Sequence, residues 1–210
     1  MKLRNNRMIK PIVFLLLTTA LSLVSRSAAA GPPTEQIKAT VDKALLVLKD
    51  PQFKPPSKVT ERRDQLRQIL FARFDFTEMA RRALGANWRR RTPQEQEEFV
   101  KLFTDVLERA YAGIIESYTD EKIIYNNERI DGTFADVGSK ILTSKGEEYS
   151  INYKAHLVSN DWKVYDVVAE NISLVNNYRS QFTRVIAHES YEELVRRLKN
   201  KADFDAPKKQ

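Results

Sequence analysis

The chain has 210 residues and no cysteine, with 35 Lys and Arg against 28 Asp and Glu for a net charge of +7. The missing thiol excludes a disulfide-stapled scaffold, thiol catalysis and a lipid anchor on an N-terminal cysteine. Residues 1–30 hold five of the basic side chains (Lys2, Arg4, Arg7, Lys10, Arg26) and no acid, so 31–210 is nearly balanced at +2 and bulk charge gives no support to nucleic-acid binding.

In chain order, residues 1–30 read as a cleaved secretory signal peptide. A basic start is followed by an apolar run at 12–24 and by Ala28-Ala29-Ala30, a small-residue cleavage site. That run is too short to cross a hydrocarbon core of about 30 Å as a helix. Cleavage near Ala30 predicts a soluble protein outside the inner membrane. Residues 31–205 are expected to form one domain, because about 180 residues suffice for a core and no internal repeat divides them. Residues 206–210 are expected to be a disordered tail.

The first half predicts helices. Ile37, Val41, Ala44, Leu45 and Leu48 recur at helical spacing, and Pro51, Pro55 and Pro56 then break the helix. Leu66, Ile69, Leu70 and Phe74 form a second stripe. Phe76, Met79, Ala80, Ala83 and Leu84 form a third, stopped by Gly85. Thr92-Pro93-Gln94-Glu95 is a capping box with proline at the first helical position. It opens a long helix whose apolar stripe, from Phe99 through Phe103 and Leu107 to Ile115, calls for a large partner surface. The period then changes to two. Residues 122–169 predict a four-stranded antiparallel meander, expected to be that surface, and further helices follow. The class is α+β, with helices packed on one face of a curved sheet.

Two blocks carry a family resemblance. Residues 74–103, FDFTEMARRALGANWRRRTPQEQEEFVKLF, and 162–182, WKVYDVVAENISLVNNYRSQF, resemble the signature blocks of the MlaC (toluene-tolerance, Mla-pathway) phospholipid-binding family in content, order and separation. The resemblance implies a cone related to nuclear transport factor 2 (NTF2-like), enclosing an apolar cavity. It implies a soluble periplasmic carrier in a Gram-negative cell that shuttles phospholipid between the inner and outer membranes and maintains outer-membrane lipid asymmetry. Its partners would be an inner-membrane Mla ABC transporter complex and an outer-membrane Mla lipoprotein complex. It would be a monomer with no cofactor, carrying phospholipid only as cargo, and would bind no nucleic acid. The sequence departs from the family at Asn171, where glycine is usual, and at His188-Glu189, which places the joint between the last helices in question.

A carrier has to hide both tails. At about 0.8 kcal/mol per methylene, two tails of roughly 28 methylenes would expose about 22 kcal/mol. That exceeds the practical limit of non-covalent affinity, about 18–21 kcal/mol. Phe99, Phe103, Leu107, Val137, Ile141, Ile151, Tyr153 and Val164 are the expected tail contacts, although periodicity does not separate a lined cavity from a filled core. Arg81, Arg82, Arg89 and Arg90, around Trp88, suit an anionic head group or a docking face, or a solvated surface with local Glu partners. Arg179 stands in the Asn-Tyr-Arg part of the second block and is equally suited to a structural role, pairing with Asp166 or Glu170.

The competing class is an enzyme of the same cone, using Asp166 with Tyr149 or Tyr153 for acid–base chemistry. Little else in the chain suggests catalysis. His156, expected to be exposed, and His188 are the only histidines, and neither a nucleophile elbow nor a P-loop is present. No metal site and no catalytic residue are expected. A protein-only adaptor with a filled core is the third possibility.

Overall fold

The structure, a computed structural model, describes residues 32–118, 120–200 and 204. The expected signal peptide and the expected tail at 206–210 fall outside the described residues. The helices are α1 (Pro32–Lys49), α2 (Val59–Arg73), α3 (Phe76–Leu84), α4 (Pro93–Glu116), α5 (Leu174–His188) and α6 (Tyr191–Lys199). The strands are β1 (Lys122–Asp131), β2 (Phe134–Leu142), β3 (Glu148–Val158), β4 (Asp161–Ala169) and β5 (Ile172–Ser173).

Local chemistry sets the helix boundaries. The proline joint becomes two 3-10 turns, Pro51–Phe53 and Pro56–Lys58, separating α1 from α2. Asp75 caps α3 by accepting from the Glu78 N–H at 2.8 Å. Gly85 ends it at φ +60° and leads into a 3-10 turn, Gly85–Arg90. The capping box of α4 forms as the sequence predicts: the Thr92 hydroxyl accepts from the Glu95 N–H at 3.2 Å, and the Glu95 carboxylate accepts from the Thr92 N–H at 2.7 Å. Ser173 and Ser190 cap α5 and α6 by accepting from the N–H groups of Asn176 and Glu193.

The sheet is antiparallel in the order β1-β2-β3-β4-β5. It has one strand more than the sequence predicts. Glu170 and Asn171 both adopt left-handed geometry, at φ +48° and +66°, and turn the chain straight back onto β4. Asparagine tolerates that region better than most side chains, so the family's usual glycine is not needed for this turn. The register shifts once between Tyr125 and Asn127 and once between Lys154 and Ala155. Such bulges bend strands and raise their twist. Gly138 faces the first of them, where an added Cβ would lie 3.0–3.1 Å from the Asn152 and Asn126 side chains.

The interior is divided. One buried cluster joins α3, α4, α5 and α6, with Phe99, Phe103, Tyr178 and Phe182 fully enclosed. The second lies between α1 and the sheet, with Ile37 over Ala135, Val137, Ala155, Trp162 and Val164. Phe74 packs against both. Here the structure departs from expectation. The stripe of α4 packs on the other helices rather than on the sheet, because α5 supplies edge-on aromatic partners, with Phe103 and Tyr178 ring centroids 5.2 Å apart and Phe99 and Phe182 5.6 Å apart.

Candidate functional site

Against the helical cluster, a groove of about 740 Å³ opens between α2, α3 and α4. That volume is typical of a small-molecule cleft. Its floor is Phe71, Phe74, Phe76, Trp88, Val100 and Val158. Phe76 lies tilted against Phe71, 4.4 Å between centroids, and stacks against Phe74 at 6.0 Å. Phe74 is held by its backbone environment. It forms an isolated parallel bridge with Val164, and the next N–H, of Asp75, donates to the Val164 carbonyl at 2.8 Å.

The α4 wall presents Gln96, Val100 and Thr104 at spacings of four, a different face from the buried Phe99, Phe103 and Leu107. The Thr104 hydroxyl is satisfied by the Val100 carbonyl at 2.8 Å. The rim is charged, with Arg67, Lys101 and Lys163 set against Asp75, Glu97 and Asp105. The arrangement is an apolar trough with a wet edge, suited to hydrocarbon below and polar groups above.

None of the eight expected tail contacts lines this groove. Phe99, Phe103 and Leu107 are buried in the helical cluster. Val137 and Val164 are fully buried under α1, with Tyr153 half-buried beside them, its hydroxyl pKa raised by burial. Ile141 and Ile151 are half-buried further along the same sheet face. Phe74, Phe76 and Trp88 of the floor stand in the first signature block but are not among the expected tail contacts.

The arginines separate into two kinds. Glu78 holds both Arg81, at 2.5 Å, and Arg82, at 2.6 Å. Burial opposes ionisation of Glu78, but the two guanidinium groups keep its pKa below the usual carboxylate value. Arg82 also lies 4.0 Å over the Tyr165 ring, and Arg91 lies 4.4 Å over the Tyr191 ring. Arg89 and Arg90, directly after Trp88, are exposed and have no ion pair among the described residues.

Three expectations are corrected. Arg179 does not pair with Asp166 or Glu170. It lies against Gly85, where an added Cβ would come within 2.9 Å of its Nε, so the two signature blocks meet there. His156 is half-buried rather than exposed, with Nε2 2.9 Å from Asp75 Oδ2. The proposed acid–base pair is not assembled. Asp166 pairs in register with Lys154 and therefore faces away from Tyr153 and Tyr149. It is spent on structure, accepting from the Ser173 hydroxyl at 2.6 Å and the Val175 N–H at 3.0 Å. Among the described residues no group of His, Asp and Glu could hold a metal, and no helix is long and apolar enough to cross a membrane.

A mixed helix-and-sheet domain with an open trough on an aromatic floor has the shape of a binding cleft. The chain belongs to the MlaC family, whose model, described as MlaC protein, matches residues 38–200. It is similar to the intermembrane phospholipid transport system binding protein MlaC of Haemophilus influenzae, with 23% identity over 90% of this chain and 92% of that protein. It is also similar to toluene tolerance protein ttg2D of Pseudomonas putida, with 25% identity over 80% of this chain and 78% of the relative. Among solved structures, a phospholipid-binding protein from Ralstonia solanacearum, in complex with a phospholipid, shares the fold with a TM-score of 0.71 and 28% identity, over 81% of this chain and 96% of that one.

Proposed function

We propose that the protein is a phospholipid carrier of the periplasm, exported by the signal at residues 1–30, that takes acyl chains into the groove between α2, α3 and α4. The observation that carries this reading is the trough itself, an apolar floor left open beside the helical cluster. The phospholipid-bound Ralstonia relative supports it. In this reading the protein is a monomer that exchanges cargo with an inner-membrane transporter complex and an outer-membrane lipoprotein complex, and it performs no chemistry on the lipid. Arg89 and Arg90 are the arginines free to meet an anionic head group, whereas Arg81 and Arg82 are engaged by Glu78.

Organic extraction of gently purified protein, followed by mass spectrometry, should recover phospholipid at a stoichiometric level. Val100→Glu puts a carboxylate on the trough floor and should reduce the recovered lipid at least fivefold while the fold persists. Folded wild-type protein that yields no lipid after exposure to phospholipid vesicles would overturn the reading.

A further inference from the structure

Helix α2 is attached differently from the other helices. It contributes no side chain to either buried cluster, and Leu66 is its one buried residue. Its backbone packs chiefly on α1. Toward α4, the opposite wall of the groove, it reaches with arginines. Arg63 makes a two-pronged contact with Glu116, at 2.8 and 3.0 Å, and Arg62 adds a third at 3.2 Å. One turn nearer the groove, Arg67 meets Glu108 at 3.0 Å and lies 4.9 Å over the Phe71 ring of the floor.

The ends of α2 are also distinctive. Upstream stand Pro51, Pro55 and Pro56 in two short 3-10 turns, and downstream the chain passes into extended geometry at Phe74. The helix is thus a strap between two non-helical joints, fastened along its free side by charge. Apolar interfaces resist separation because water cannot replace their contacts, whereas water and other ions can replace the partners of Arg63 and Arg67, each about half exposed, although Arg62 and Glu116 are mostly buried.

We propose that α2 is the gate of the groove and that its arginine pairs with Glu108 and Glu116 are the latch. With the pairs closed, α2 walls the trough against α4. When they part, α2 swings with α1 as its support, and the trough opens sideways along its length. This rests on the carrier reading for what passes the gate, but the mechanical assignment is separable from it.

The absence of native cysteine makes the test clean. Arg63→Cys with Glu116→Cys would place two thiols across the latch for a reducible bis-methanethiosulfonate linker. Protein loaded with a fluorescent phospholipid is mixed with excess phosphatidylethanolamine–phosphatidylglycerol vesicles, and release is timed. The linked protein should release lipid at least tenfold more slowly than the same protein after reduction. Equal rates would overturn the gate. A second measurement needs no linker. Glu116→Gln should speed amide exchange in residues 59–73 at least fivefold while leaving α5 unchanged, and unchanged exchange in 59–73 would overturn the latch. If wild-type protein takes up no lipid, the carrier reading fails, and the amide exchange then decides the latch alone.

Discussion

The two sides of α4 show how one helix can serve two purposes. On one side Phe99, Phe103, Val106 and Leu107 interlock with Tyr178, Phe182 and Leu194, all of them nearly or fully buried. On the other side, one residue out of phase along the sequence pattern, Gln96, Val100 and Thr104 face a trough, and α2 beyond it is reached through ion pairs. The first side is held by shape, and its cost of disruption is high. The second is held by charge and can part cheaply. In the carrier reading, stability and binding fall to different faces, so substitutions should affect them separately.

The largest effect should come from the interlocked side. Phe103→Ala removes a fully buried ring and should cost about 3–5 kcal/mol in a denaturant melt. A loss below about 1 kcal/mol would show that the helical cluster is loosely packed. Gly85→Ala is the next test. It forces a side chain into left-handed geometry and against the Arg179 guanidinium, for an expected cost of about 1–3 kcal/mol. The additional variant Arg179→Ala should recover only the steric part of that cost. Thr92→Ala, which removes the capping box, should cost about 1 kcal/mol by the same melt. Glu116→Gln is expected to cost about 1 kcal/mol, because the amide oxygen still accepts from the half-exposed Arg63 guanidinium. A stability loss as large as that of Phe103→Ala would remove the distinction between the two faces.

Acid titration sharpens the comparison within the latch. The hydrogen bonds of Arg63, aided by Arg62, hold the Glu116 carboxyl below its ordinary value of 4.5. Its contribution is therefore present above 4.5 and is lost only as the pH falls through its lower folded value. Glu108 behaves oppositely. Burial pushes its pKa above 4.5, more than Arg67 draws it down. It takes up a proton first as the pH falls, so the pair beside the groove should part before the pair at the far end of α4. Carbon-detected NMR of the two carboxyl groups would show the order, and Glu116 titrating first would reverse it.

Much of the architecture was legible in the sequence because its signals are local. The capping box at Thr92, the proline joint, the glycine stop and the alternation from 122 to 169 each act within a few residues. The fifth strand was not, because it depends on Glu170 and Asn171 together entering left-handed geometry. The trough was legible only as composition. Phe99 and Val100 are adjacent and similarly apolar, yet one is enclosed and the other lines the opening, and that difference is set by α5 and α2, far away in sequence. Periodicity identifies the apolar stripe of a helix. It does not show that a second, weaker face has a use. The same limit hid the meeting of Gly85 with Arg179, which joins the two signature blocks through space.

The bulge at Asn126 also bears on crowding among neighbouring molecules. Strand β1 is ten residues long and forms the outer edge of the sheet among the described residues, an open row of main-chain donors and acceptors that could template another copy of the chain. The extra residue breaks that row near its middle, and Lys122, Glu128, Arg129 and Asp131 add charge along it. A strand shortened by deletion of Asn126 would restore a straight edge, and fibre or sheet-like aggregates should then form at concentrations where the native chain stays dispersed.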